Sequence, residues 1–162
     1  MPMSLFATML ICCLGNPIGG DDGIGSVVGR HLKRVLPKRD FEVIPEYAGS
    51  ALDFVLDLDG RQKVCIIDAI ITGRYPEGAV RLFTEKQICR NMKSGCFHGV
   101  NLSQALVMGR KLKLKLPAIV QLIGIEIRPV SSFGEKLSPA LKKRLPAICA
   151  DVERKIKKLH SG

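Results

Sequence analysis

The sequence predicts an α/β protein, a three-layer α/β/α sandwich around a mixed, mostly parallel five-stranded sheet. Three observations carry this prediction. Residues 5–14 form a continuous apolar run, the pattern of a strand buried on both faces, and KVCIIDAI, residues 63–70, reads as a second buried strand. Segments with apolar residues at helical spacing alternate with the strand-like runs, as in βαβ units. One connection, TGRYPEG, is shorter than the dozen or so residues a parallel crossover takes, so the strand after it must run against its predecessor.

Each element follows in turn. The opening MPMSLFATMLICCLG has no Lys or Arg ahead of its apolar stretch and runs straight into a Gly/Asp turn, so it reads as a first strand and not as a signal peptide. Gly15 to Gly25 is a glycine-rich turn. Ile24, Val27, Val28, His31, Leu32, Val35 and Leu36 then follow helical spacing until Pro37 stops the helix. FEVIPE, residues 41–46, is a short strand that Pro45 limits or confines to an edge. Ala51 to Leu58 forms a short helix. KVCIIDAI is the second buried strand, TGRYPEG a turn, and AVRLF the antiparallel strand.

Residues 85–100 read as polar and irregular. Asn101, with Gln104 at N3, caps a helix to about Leu114. AIVQLIGIEI, residues 118–127, is the last strand. Ser138 caps a final helix with Pro139 at N1, whose buried stripe is Leu141, Leu145, Ile148, Val152, Ile156 and Leu159; Pro146 should kink or split it. No internal repeat or linker interrupts the 162 residues, which read as a single domain.

Composition narrows the function classes. Apolar residues make up 46 %, enough for a core and too many for a disordered chain. No apolar run approaches the roughly 20 residues of a membrane helix. Cys12, Cys13 and Cys65 lie inside apolar runs and no CxxC pair occurs, which fits free buried thiols in a reducing cytosol. The formal charge of +10 raises nucleic acid, an anionic membrane or an acidic partner. Much of the excess falls on the polar side of the last helical pattern, where a solvated helix face is the simpler account.

The chemistry-bearing residues gather at strand ends. In open α/β sheets, ligands bind beyond the carboxyl ends of parallel strands. Asp21 and Asp22 follow the first strand, Glu46 ends the second, and Asp68 ends KVCIID. His98, just before a helix, can reach the same rim. Two carboxylates and an imidazole bordering one open cleft, with coordination positions to spare, suit a divalent transition metal. Plainer roles are open to each: Asp21 or Asp22 can cap the first helix, which spacing alone favours, Asp68 can bond loop amides, and His98 can be a surface residue. The loop GNPIGGDDGIG lacks both GxGxxG and GK[ST], and two aspartates at a helix start repel a phosphate. Cys89, Cys96 and His98 do not have a zinc spacing and lack a fourth ligand.

Taken together, GNPIGGDDGIGSVVGRHL, IIDAIITGRYPEGAVRLF, FHGVNLSQAL and LIGIEIRPVSSFGEKLSP resemble, in order, the four blocks of the nickel-iron hydrogenase maturation endopeptidases. The resemblance covers most of the chain. It implies a cytoplasmic peptidase that trims the C-terminal extension of a hydrogenase large-subunit precursor after nickel insertion. It implies that Asp22, Asp68 and His98 are the metal-binding and catalytic positions, with the nickel carried by the precursor. The family's D-G-G-T turn is replaced here by EYAGS, so Glu46 takes the acidic position and Glu46 and Gly49 stand where substrate is recognised. Neither nucleic acid nor membrane insertion enters this reading.

Three alternatives stand beside it. LGNPI also resembles the opening of peptidyl-tRNA hydrolases, yet the stretch after it is acidic where that family places a catalytic His, and His31 lies inside the helix. A basic RNA-binding module rests on charge alone. A relative that binds the precursor without cutting it is compatible with the altered 46–50 turn.

Overall fold

The computed structural model describes residues 9–91, 102–129 and 134–162. Its strands are β1 (Met9–Cys13), β2 (Phe41–Ile44), β3 (Lys63–Ile70), β4 (Val80–Thr84) and β5 (Ile119–Glu126). Its helices are α1 (Ile24–Val35), α2 (Ala51–Leu58), α3 (Glu85–Asn91), α4 (Leu102–Lys111) and α5 (Pro139–Ser161). The sheet order is β2-β1-β3-β5-β4, with β4 alone antiparallel. β2 lies at the edge of the sheet and stops at Ile44, short of the expected residue 46, because Pro45 limits it.

Strand alternation sends side chains to two cores. Met9, Ile11, Cys13, Cys65 and Ile67 pack with Ile24, Val28 and Leu32 of α1 and with Leu141, Ile148, Val152 and Ile156 of α5. Leu10, Cys12, Val64 and Ile66 pack with Phe54, Val55 and Leu58 of α2, Ile88 of α3, and Leu102 and Leu106 of α4. This is the expected three-layer sandwich, and Cys12, Cys13 and Cys65 are the expected buried free thiols. α1 can lie close to the sheet because Gly25 has no side chain: a Cβ there would sit 2.1 Å from the Leu14 carbonyl oxygen and 3.0 Å from that of Ile67. Among the described residues no helix is long and apolar enough to cross a membrane.

The structure corrects several expectations. The stretch from residue 85 is not irregular at its start but is α3. Thr84 and Gln87 form a reciprocal cap, the Thr84 N–H donating to Gln87 Oε1 at 2.9 Å and the Gln87 N–H to Thr84 Oγ1 at 3.4 Å. β4 does run against β3, but its partner is β5, which lies between them. α4 ends at Lys111 and not near Leu114, and its proposed cap Asn101 lies outside the described residues. Val35 is exposed although it falls on the apolar pattern of α1. α5 is one helix. Pro146 does not split it, because Pro146 and Lys142 lie on its exposed side, where water can take the carbonyl left without a donor.

Candidate active site

The loops that leave β1, β2 and β3 emerge at one end of the sheet, the carboxyl end of its parallel strands. Asp68 belongs to β3 and shares the parity of Val64 and Ile66, so its side chain points to the α2/α4 face. Its neighbour across the ladder is Gly124, where the Ile70 side chain packs so closely that a Cβ would meet Ile70 Cδ1 at 2.7 Å. Asp68 is 0 % exposed. Its Oδ1 accepts the Ala69 N–H at 2.8 Å, while its buried Oδ2 has no hydrogen-bond partner among the described residues. Loss of water pushes this carboxyl well above the usual carboxylate range, the Ala69 N–H opposes the shift, and the negative charge of Asp22 adds to it.

Asp22 therefore lies close enough to Asp68 for their charges to interact. It sits in a single 3-10 turn, Gly20–Gly23, and is 9 % exposed. Gly19 gives it room: a Cβ on Gly19 would meet Asp22 Cβ at 3.0 Å and Asp22 Oδ2 at 3.1 Å. The sequence places both acids at the border of an open cleft; here one is fully buried and the other nearly so.

The helix-cap role favoured by spacing is not what either aspartate does. The N-cap of α1 is Gly23, with no side-chain cap hydrogen bond. Asp21 instead reaches across the molecule, its Oδ1 accepting the Ser138 N–H at 2.6 Å where α5 begins. Ser138 in turn caps α5 through Oγ, which accepts the Leu141 N–H. The same loop is stitched to Gly134, whose carbonyl accepts the Gly20 N–H at 2.6 Å and whose N–H donates to Ile18 at 2.9 Å. The two adjacent acids thus part: Asp21 ties the loop to α5, and Asp22 lies near Asp68.

Glu46 and Gly49 stand at the same end, past the close of β2 at Ile44. Glu46 is exposed and pairs with Arg30 of α1. Gly49 lies beneath the Tyr47 ring, where a Cβ would meet Tyr47 Oη at 2.6 Å. That ring packs edge-on against Phe54, and its hydroxyl donates to Asp57 at 2.9 Å. The turn is thus ordered around an aromatic ring, with a salt bridge beside it. His98 lies outside the described residues, as does Cys96; the side chain of Cys89 is likewise not described.

Sequence reasoning missed Glu126. This acid, 2 % exposed, ends β5 and accepts the Thr72 N–H and hydroxyl at 2.7 Å each and the Gly73 N–H at 2.8 Å. It fixes the turn that follows Asp68 and helps line a cleft of about 340 Å³ with Ile71, Tyr75 and Arg128. An acid inside the apolar run LIGIEI was the signal, since a buried carboxylate needs donors.

No three His, Cys, Asp or Glu side chains among the described residues form a complete metal site. The two acids still suit a divalent cation. A buried oxygen with no partner among the described residues, beside a second carboxylate, is a desolvated site that positive charge relieves, and oxygen donors suit a borderline divalent ion when nitrogen completes the set.

Comparison with known proteins adds a family. Residues 27–155 match the family model described as hydrogenase maturation protease, an interval that includes Asp68 and His98 and begins just after Asp22. A protein of Pyrococcus furiosus named FrxA is 28 % identical over 130 residues, spanning 78 % of this chain and 89 % of its own. The fold is similar to that of the hydrogenase maturating endopeptidase HybD of Escherichia coli, with a TM-score of 0.73 at 19 % identity over 93 % of this chain and 92 % of that one. It is also similar to the [NiFe] hydrogenase maturation protease HybD of Thermococcus kodakarensis, with a TM-score of 0.67 at 25 % identity over 90 % of this chain and 97 % of that one.

Proposed function

The chain belongs to the hydrogenase maturation protease family, and from that premise we propose that Asp22, Asp68 and His98 take hold of the nickel in a nickel-iron hydrogenase large-subunit precursor and so license removal of its C-terminal extension. It is a peptidase of hydrogenase maturation. The observation that supports the nickel-gripping role is the Oδ2 of Asp68, fully buried beside Asp22 at the carboxyl end of the sheet and without a hydrogen-bond partner among the described residues.

The chemistry follows from charge. With no cation present, burial favours the protonated form of Asp68, and a neutral acid there lessens repulsion with Asp22. A divalent ion arriving with the precursor would be held by the two carboxylates, with His98 as the nitrogen donor, and any proton on Asp68 would pass to water. The precursor is gripped through its own metal, so a precursor without nickel is bound weakly. The gripped ion also fixes the nearby peptide bond and can polarise its carbonyl. Glu46 and Gly49, in the turn ordered by Tyr47, stand where the extension is recognised.

The peptidyl-tRNA hydrolase reading falls away with the family. His31, which that reading would need at the site, lies within α1 with its Nε2 3.6 Å from Glu153 of α5. The test is incubation with nickel-loaded and nickel-free precursors, followed by mass spectrometry of the large subunit. A C-terminal clip of the loaded form alone is expected. Equal cleavage of both forms contradicts the nickel-gripping role, and tight binding of the loaded form without cleavage favours a non-cutting relative.

A further inference from the structure

A group of exposed lysines gathers at the end of the sheet opposite Asp22 and Asp68. The parallel strands start level, Met9 opposite both Phe41 and Lys63, and Lys63 opposite Ile119. The loops leading into β2, β3 and β5 therefore meet at this amino end. They are tied together: the Gly60 N–H donates to the Lys115 carbonyl at 2.9 Å and the Lys115 N–H to Asp59 Oδ1 at 2.7 Å. α5 also finishes here. Lys63 Nζ donates to the carbonyls of Leu159 and His160 at 3.1 and 3.0 Å, and the His160 ring packs on Phe41.

The acids at this end are engaged. Glu42 pairs with Arg61, Asp40 with Arg39, and Asp59 holds the Lys115 amide. Lys38, Lys111, Lys113, Lys115 and Lys158 are exposed, with no ion-pair partner among the described residues. Among them sits an aliphatic side chain, Leu112, 51 % exposed in the turn where Lys113 takes a positive φ of 57°.

The chemistry of this surface selects its partner. A nucleic-acid surface reads phosphates and bases with arginine forks and exposed rings. Here Arg39 and Arg61 are already paired, and Phe41 is buried against His160. Ammonium groups around an exposed leucine instead match anionic headgroups above acyl carbons. We propose that this amino end is a peripheral docking surface for an anionic lipid bilayer, held by its lysines with Leu112 entering the headgroup–acyl boundary. The opposite end, with Asp22, Asp68 and the cleft beside Glu126, stays turned to water, so docking leaves precursor access open.

The test uses the full chain in vesicle co-sedimentation at about 0.15 M salt, where only charges within roughly 8 Å of the surface still act strongly. Phosphatidylcholine vesicles are compared with vesicles in which about a third of the lipid is phosphatidylglycerol. Each lysine near such a surface is worth about five-fold in partitioning. The native chain is expected to bind the anionic vesicles alone. The combined variant Lys111→Glu, Lys113→Glu, Lys115→Glu should bind at least about 100-fold more weakly and process precursor in solution at the native rate. Leu112→Ser should weaken vesicle binding about ten-fold and leave binding to a single-stranded RNA oligonucleotide unchanged. No binding to anionic vesicles, native binding by either variant, or tighter binding to the oligonucleotide than to the vesicles would overturn the proposal. Loss of processing in a folded triple variant would also overturn it, by assigning this surface to the precursor.

Discussion

Adding one methyl group at Gly19 should impair the site without unfolding the protein. The backbone there has φ −92° and ψ 17°, which alanine adopts without strain. The new Cβ would lie 3.0 Å from Asp22 Cβ, 3.1 Å from Asp22 Oδ2 and 3.2 Å from Asn16 Cβ. Carbon atoms rest about 3.5–4.0 Å apart, so the Asp22 side chain must retreat by about half an ångström. Lower unfolded-state entropy contributes about 0.4–1 kcal/mol in favour of alanine, and the crowding costs about 1 kcal/mol or more, so net stability stays within about 1 kcal/mol. Catalytic geometry is less tolerant: constellations need positions held to about 0.5 Å, and a misplacement of about 1 Å can cost 100-fold. Processing of nickel-loaded precursor should therefore fall by about 10- to 100-fold in Gly19→Ala. Thermal melts and processing rates, measured also in an Asp22→Asn background, check this. If Gly19 acts through Asp22, the methyl adds nothing in that background. Native processing by a folded Gly19→Ala would refute the reasoning, and a stability loss above about 3 kcal/mol would make Gly19 a folding residue instead.

Asp68→Asn should abolish processing while raising the metal-free protein's stability increasingly with pH. Burial lifts the folded carboxyl above its ordinary value of 3.8, so the native state holds the proton more tightly than the unfolded chain, and native stability falls as pH climbs from there through the raised value. Asn does not titrate, so its advantage in denaturant midpoint should widen over that interval; a constant gap would deny the shift. Asp22→Asn should lose nickel-dependent processing and keep its melting temperature, whereas a fully active variant would return Asp22 to a structural role. Gly25→Ala should cost about 3 kcal/mol or more in chemical denaturation, because its Cβ would meet backbone oxygen of Leu14 that cannot swing aside; a loss below about 1 kcal/mol would contradict the close packing of α1. Cys12→Ala should cost about 1 kcal/mol and leave processing intact, and selective loss of processing at native stability would show the thiol to be functional.

The sheet was readable wherever one physical signal was enough. KVCIIDAI holds the apolar stretch VCII with a single acid after it, so both the strand and the acid near its end could be read from it. The insertion of β5 between β3 and β4 was not legible, since the choice of strand partner depends on the whole chain and not on local pattern. α3 could have been found, because Thr84-Glu85-Lys86-Gln87 is a capping box that polarity alone conceals. The division of work between Asp21 and Asp22 lay beyond reach: spacing puts both at the start of a helix, and only the distant amide of Ser138 claims one of them. The burial of Asp68 was hidden for a similar reason, because a carboxylate at a strand end normally faces water.

The bond from Asp21 to Ser138 sets a timetable. Its partners are 117 residues apart, so a ribosome adding about 5–20 residues per second completes the acid-bearing turn on the order of ten seconds before it delivers the amide that anchors it. The amide of Gly134, which the same turn borrows, is equally late. An emerging chain thus carries its paired aspartates before the far segment that fixes their loop exists. Nascent copies cannot present the finished site, and any product truncated before Gly134 keeps both acids while losing the clamp that orders them.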